Sequence, residues 1–361
     1  MGINGFWIFL NDIVKKIDID KIKFKPLIID INLYIYKYVI GLRNNVNNKY
    51  PNSIHIYALY RILRMLLNYN ILPICIFDGK TPKLKQDSVN RRKQLSHNAN
   101  EKIVSNNLNP NLNLNQYIKN YKKSFVLTYD MIEECKIFLD HTGLPYVESI
   151  GEGDPQCAAL SHYYSNSITG VLSDDSDIIT YGSKILFKEI DPETNIITYI
   201  SQQSIIEYLQ NKTNNIRKEN NLESLTFTFD AFIDFTIVLG NDYANGIRSS
   251  QKICREELFK LFVLNDLDIN KLILYIYKIN TNYEKILYYI PENFLEKYSE
   301  IKKLYLNVEI INPSNINIHM SNPNLTKLKD FLTTHNFLQN DILILSNILI
   351  QNYKLFSIKK I

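Results

Sequence analysis

Two short apolar runs, residues 27–32 (LIIDIN) and 71–78 (ILPICIFD), each carry an acid at or near their end. Short and continuously apolar runs predict strands buried on both faces, as in a parallel sheet. Between them, SIHIYALYRILRMLLNYN places Ile56, Leu59, Leu63 and Leu66 on one helical face, with Ser53 as the candidate N-cap. The three elements make one βαβ crossover. A second begins at TYDMIEECKIFLDHTGLPYVES, where a helix ends at Gly143, Pro145 lies just beyond, and a strand follows at 145–149. Next come a helix opening at Pro155, a strand at 169–173, the β-rich KILFKEI and NIITYIS, and a helix at 230–239 leading into GNDY. This alternation predicts an α/β fold with a mainly parallel central sheet flanked by helices.

From about residue 246 the pattern changes to amphipathic helix (ELFKLFVL, KLILYIYKI, DILILSNILI), predicting a helical carboxyl-terminal subdomain at 246–361 after a core at 1–245. Three polar, Asn-rich segments interrupt the pattern. Residues 210–224 and 309–326 read as surface loops. Residues 86–124 are too long for an ordinary connection and read as a functional or disordered insertion.

Charge sharpens that reading. From Lys80 to Lys123 there are ten Lys or Arg against two acids, a balance of +8 in a chain whose net charge is +4. A basic insertion directly after an acid-bearing strand end suits a polyanionic partner, although a solvated lysine-rich face is the common reason for such a run. Composition adds bounds. With 361 residues, 45% hydrophobic and 22% charged, the chain can bury a sizeable core, which excludes wholesale disorder. The four cysteines lie far apart without a CxxC pair, so a zinc site is not expected, and Cys75 and Cys135 read as core thiols of a reducing compartment. The amino terminus lacks the pattern of a signal peptide, Phe6 stands where myristoylation wants Ser or Thr, and no run is long enough to span a membrane. A soluble intracellular protein is expected.

The candidate chemistry lies in the acids. Asp30, Asp78, Glu152, Asp154, Asp175, Asp177 and Asp242 all follow apolar runs. Strands deliver such residues to the carboxyl edge of the sheet, where α/β proteins bind ligands. So many carboxylates together would repel one another unless cations sat among them, and oxygen-only ligation suits Mg²⁺ or Mn²⁺. That points to metal-dependent phosphoryl transfer.

These pieces, taken in order, resemble the flap endonuclease family of structure-specific 5′ nucleases, which includes the xeroderma pigmentosum G type. MGINGFWIFL is similar to the family's opening, and PLIIDINLYIYKYVIGLR to its first acidic strand and helix. CIFDGKTPKLKQDSVNRRKQ resembles its FDG-K-x-P segment with a basic helix behind it. GLPYVESIGEGDPQCAAL, VLSDDSDIITYGS and DFTIVLGNDYANGIR match its remaining acidic motifs. The resemblance runs from residue 1 to about 248 and implies a PIN-like 5′-nuclease fold with a basic helical cap at about 86–124.

Further implications follow residue by residue. All seven acids stand at metal-ligand positions for two Mg²⁺ ions, with Mn²⁺ able to substitute. Asp154 is a shorter acid where the family usually has Glu. Asp174 is not counted, because side-chain alternation sends it away from Asp175 and Asp177. Asp230 reads as an N-cap and Asp234 as part of a solvated face. Lys85 and Arg92, two helical turns apart, stand where the family has the cations that polarise the scissile phosphate. Lys80, Lys83, Arg91, Lys93, Lys119 and Lys122 read as phosphate contacts, Tyr36 and Arg43 as a wall near the cut, and Gly2 as part of an amino terminus packed by the site.

The resemblance also has departures. Ser249, Ser250 and Gln251 replace a Gly-x-Gly turn that grips duplex DNA around a K⁺ ion, so Lys252 and Arg255 are expected to take over that grip. QNYKLFSIKKI offers no clear sliding-clamp peptide. The implied partner is DNA with a 5′ flap, nick, gap or junction, met in the nucleus of a cell or in the host cytoplasm of a virus. A 5′-to-3′ exoribonuclease, suggested by GEGDP, and a catalytically dead DNA-binding scaffold are the rivals.

Overall fold

In a computed structural model, residues 2–44, 53–106, 114–249, 255–282 and 287–357 are described. The chain divides into two compact units, each discontinuous in sequence. The first comprises Asp18–Leu172, Pro192–Asn195 and Ile310–Ile361; the second comprises Met1–Ile17, Ser173–Asp191 and Ile196–Glu309.

The first unit is built on a parallel sheet whose strands lie in the order Val171–Leu172, Pro26–Asp30, Leu72–Phe77, Tyr146–Glu148. Pro26–Asp30 and Leu72–Phe77 are buried along their whole length, as their unbroken apolar runs require. Asp30 lies opposite Ile76 and Phe77 opposite Glu148, so the acid-bearing ends of these strands come to one edge. Helices Ile31–Leu42, Ile54–Asn68 and Gly153–Tyr163 pack on these strands, and Tyr129–Thr142 packs against Ile54–Asn68. Leu325–Thr334 and Gln339–Ser357 join the same layer. There Tyr60 donates to Asp341 at 3.2 Å, and Asn352 Nδ2 donates to the Leu67 carbonyl at 3.1 Å. Cys75, Cys135 and Cys157 are free thiols in this core.

The helix expected to stop at Gly143 does so: Gly143 takes φ +72° and its N–H returns to the Leu139 carbonyl. A Cβ there would also lie 2.3 Å from the Ser321 carbonyl oxygen, so the position requires glycine twice over. The basic segment is helical, as Gln86–Asn106 and Leu114–Lys123.

The second unit holds an antiparallel ribbon, Ile185–Asp191 with Ile196–Ser201, and a group of helices: Gln202–Glu219, Phe229–Leu239, Arg255–Leu264, Ile269–Asn282 and Phe294–Leu306. Phe9, Phe227, Phe235, Phe259 and Phe262 form its aromatic core.

Several local expectations need correction. The Asn-rich stretch from 210 lies largely in the helix Gln202–Glu219, because Ile205, Leu209, Thr213 and Arg217 form a buried stripe and Ser201 with Ser204 makes a capping box. Packing of that stripe outweighs the weak helix preference of Asn. The helix expected to open at Pro155 opens at Gly153. Thr228, not Asp230, caps helix Phe229–Leu239. Asp234 is buried rather than solvated, held by Tyr298 at 2.8 Å and Lys302 at 2.7 Å. Ser53 stands at its N-cap position, but its side chain bonds His335 at 2.9 Å instead of the helix. Residues 309–324 are irregular apart from the 3-10 turn Pro313–Asn315, as expected of a loop, and helix Leu325–Thr334 begins at the end of the stretch.

Burial pulls the pKa values of His55, His141 and His335 downward, and all three lie in the first unit. An unfolded histidine takes its proton near pH 6.5 (about). Below that pH the unfolded chain binds more protons than the folded one, so stability falls as pH falls through this window. The urea midpoint should therefore drop from pH 7.5 to about 5.5. His55→Asn should lessen that drop; an unchanged slope in this variant would show that His55 binds its proton alike in the folded and unfolded chain.

Candidate active site

Four of the seven acids belong to the first unit. Asp30 ends its strand and is the N-cap of helix Ile31–Leu42, accepting from the Leu33 N–H at 3.4 Å. Asp78 follows the neighbouring strand and accepts from the Gly153 N–H at 2.7 Å and from Asn32 Nδ2 at 3.0 Å. Glu152 is at the N-cap of helix Gly153–Tyr163, and Asp154 is in its first turn. Helix N-termini favour negative charge at both places. Cys157 lies one turn further on in the same helix, and burial, then the carboxylates of Asp30, Asp154 and Asp78, pushes its thiol well above the ordinary range.

Lys85 is buried, which is unusual for lysine, and it forms an ion pair with Glu152. It ends the 3-10 turn Lys83–Lys85, from which helix Gln86–Asn106 continues. Arg92, two turns along that helix, is exposed, as are Lys80, Lys83, Arg91, Lys93 and Lys119; Lys122 is half-buried. Tyr36 is exposed, its ring 5.8 Å from that of Phe125. Arg43, expected as part of a wall near the cut, is engaged with the cap. Its guanidinium donates to the Tyr121 carbonyl at 2.6 Å and to Ser124 Oγ at 3.2 Å, and lies over the rings of Tyr121 and Phe125. It pins the second cap helix, a job for which a planar, five-donor cation is suited.

The other three acids belong to the second unit. Asp175 Oδ1 accepts the N–H of Asp177 at 3.0 Å, which fixes the turn of the loop. Both are buried. The amino terminus is laid against this loop: the Ile3 N–H donates to Ser176 Oγ at 2.9 Å, and the Asn4 N–H to the Gly240 carbonyl at 2.9 Å. Gly2 takes φ +81°, and a Cβ there would lie 2.3 Å from Asp175 Oδ1, so only glycine fits. Arg255 Nε donates to the Asn4 carbonyl at 3.1 Å, which ties that side chain to the same strap. Asp242 sits in the tight turn after helix Phe229–Leu239. Asn241 braces this turn, its Oδ1 accepting the N–H groups of Tyr243 and Ala244 at 3.0 and 3.1 Å. Lys252, with Ser250 and Gln251 of the expected K⁺ turn, lies outside the described residues. Ser249 ends a two-residue strand paired with Tyr288–Tyr289.

Among the described residues, no three His, Cys, Asp or Glu side chains are drawn together tightly enough to hold a metal ion by themselves. The donors present are carboxylate oxygens, the ligand type of hard divalent cations. Sequence reasoning missed the polar groups that brace these acids. Asn32 could have been found from its place two residues after Asp30; Asn241 carries no such signal in an Asn-rich chain. No helix among the described residues is long and apolar enough to cross a membrane.

Comparison with known proteins agrees with this architecture. The family model of the XPG N-terminal domain matches residues 1–99, and that of the XPG I-region matches residues 143–242, together more than half of the chain. Flap endonuclease 1 of Plasmodium yoelii yoelii is 28% identical over 357 residues, covering 93% of this chain and 68% of that protein. Flap endonuclease 1 of Homo sapiens is 25% identical, covering 92% and 82%. Among solved structures, the catalytic core of Rad2 in complex with DNA substrate shares the fold, with a TM-score of 0.68 and 22% identity over 97% of this chain and all of that one. The chain belongs to the flap endonuclease and XPG-type nuclease family.

Proposed function

We propose that this chain is a structure-specific 5′ nuclease that hydrolyses phosphodiester bonds in DNA bearing a 5′ flap, nick, gap or junction. The observation that carries the reading is that Asp30 and Asp78 stand at the ends of two paired parallel strands, with Asp78 bonded to the Gly153 amide between Glu152 and Asp154, beside a buried Lys85 paired with Glu152. Asp30, Asp78, Glu152, Asp154, Asp175, Asp177 and Asp242 supply carboxylates for Mg²⁺, with Mn²⁺ as a substitute. Carboxylates that are not packed into a closed cage suit Mg²⁺, which keeps several of its own waters. When bound, such ions activate a water and steady the leaving 3′ oxygen.

The chain's own residues do the rest. Asn32 and the Gly153 amide hold Asp78 in one orientation. Lys85 neutralises Glu152 in the free protein and, with Arg92, meets the charge that develops on the phosphate. Lys80, Lys83, Arg91, Lys93, Lys119 and Lys122 contact phosphates without reading sequence. Tyr36 offers an exposed ring to a base. Arg43 serves the cap rather than DNA, and Gly2 lets the amino terminus lie against Asp175. Residues 1–245 carry the chemistry, and 246–361 supply duplex binding with Arg255 and Lys252.

A cleavage panel in Mg²⁺ on flap, nicked, gapped, four-way-junction and RNA substrates tests the proposal. Cutting of the RNA alone would favour an exoribonuclease, and binding without cutting a scaffold. Asp78→Asn and Asp175→Asn keep an acceptor for the amides at those sites, so both should fold and bind DNA yet lose cleavage. Near-normal cutting by the two variants would refute the metal-site assignment.

Lys85→Ala and Arg92→Ala should each lower the turnover rate by about 10², the size of a lost transition-state charge contact. Lys119→Ala should mainly weaken affinity and flatten its dependence on salt. Single-turnover rates and binding measured across a salt series separate the two behaviours. Equal behaviour of all three variants would remove the division between catalytic and positioning cations.

A further inference from the structure

Residues 2–5 belong to no helix or strand, yet they touch two of the acid-bearing segments of the second unit. We infer that Arg255 is a positioning residue: it clamps this amino-terminal strap, and the strap in turn joins the loop of Asp175 and Asp177 to the turn of Asp242. The clamp stands on hydrogen bonds and close packing, and its consequence for cleavage rests on the nuclease reading above.

The course of the strap is set by its partners. Gly2 and Gly5 take φ +81° and +69°, and glycine has no local preference that would fix such a path. The Phe6 N–H closes a turn onto the Ile3 carbonyl at 3.2 Å, and the other groups reach outward. The Ile3 N–H donates to Ser176 Oγ at 2.9 Å, and Trp7 Nε1 to the Asp174 carbonyl at 3.4 Å, so the acid loop is held on both sides of Asp175. The Asn4 N–H donates to the Gly240 carbonyl at 2.9 Å, and its Nδ2 to the Leu239 carbonyl at 3.3 Å. These two carbonyls lie immediately before the Asp242 turn.

Arg255 supplies the opposing hold. Its Nε donates to the Asn4 carbonyl at 3.1 Å, so Asn4 is tied to Gly240 through its N–H and to Arg255 through its carbonyl. The guanidinium also lies across Gly5, where a Cβ would overlap Nε, Cζ and Nη2. A planar cation suits such a flat seat on bare backbone, and a charged donor bonds a carbonyl more strongly than a neutral one. Both ends of the clamp are mounted on packed core. Arg255 belongs to helix Arg255–Leu264, whose Phe259 ring lies 5.8 Å from that of Phe9, in the short helix Phe6–Phe9 that follows the strap. A cation that only met phosphate would need no such seat. The helix read as duplex-binding is thereby fastened to the acids of its own unit.

The test uses the full-length protein and three variants. Arg255→Met keeps the apolar stem and removes the donors. Gly5→Ala reaches the same contact from the other side, displacing the guanidinium with no change in charge. Lys260→Met makes the same charge change at an exposed position of the same helix and is the control. Hydrogen exchange of the amino-terminal peptide, residues 1–10, is followed by mass spectrometry without metal or DNA. DNA affinity in EDTA and single-turnover cleavage in Mg²⁺ at saturating DNA are measured beside it. Arg255→Met should melt close to the parent and exchange this peptide about 10-fold faster, the order set by one charged hydrogen bond. Its cleavage rate at saturating DNA should fall about 10-fold, the size of effect when support behind a site is lost. Gly5→Ala should show both changes with DNA affinity like the parent's, and it decides alone should Arg255→Met not fold. Lys260→Met should keep the parent's exchange and its rate at saturating DNA. Parent-like exchange in folded Arg255→Met or Gly5→Ala overturns the clamp, as does an equal rise in Lys260→Met. Faster exchange with an unchanged saturating rate overturns the positioning role. A parent that cuts no DNA overturns the nuclease reading, while the exchange comparison still decides the clamp.

Discussion

A carboxylate taken out of water must be given a counter-charge or hydrogen-bond donors, and each unit is arranged around that requirement. In the first unit one donor is local and the others come from distant parts of the sequence. The Leu33 amide serves Asp30, the Gly153 amide and Asn32 serve Asp78, and Lys85 serves Glu152. In the second unit the Asp177 amide serves Asp175, and a glycine at position 2 lets the chain approach that carboxylate.

The same requirement explains the location of the basic segment. Its net charge balances acids elsewhere in the chain, yet among the described cations considered for the site only Lys85 is buried; Arg92, Lys80, Lys83, Arg91, Lys93 and Lys119 are exposed. A buried ammonium is costly and persists where a carboxylate compensates it. Exposed cations remain hydrated and available to a polyanion. Burial therefore sets Lys85 apart from the exposed cations of the same segment. Arg43 is a third kind, used inside the protein to fasten the helix that displays some of those cations.

Much of the first unit was legible because its signals are local. The runs around Ile28 and Ile74 could only be buried strands, and Gly143 beside Pro145 could only end a helix. The seven acids stood out because each follows an apolar run, and position after a strand is a one-dimensional property. The errors concern partners distant in the chain. Gln202–Glu219 is helical because one stripe of it is covered, and Asp234 is buried because Tyr298 and Lys302 reach it from 64 or more residues away.

The sequence by itself determined which residues bear charge, where strands and helices had to start and stop, and which acids those strands present. It could do so because periodicity, capping and turn chemistry act over a few residues. Only the tertiary structure decided what braces each acid. Asn32 reaches Asp78 across 46 positions, the amino terminus reaches Ser176 across 173, and Tyr305 meets Asn241 across 64. No local pattern encodes such pairs, since any asparagine or tyrosine of similar exposure could serve, and packing alone selects which one does.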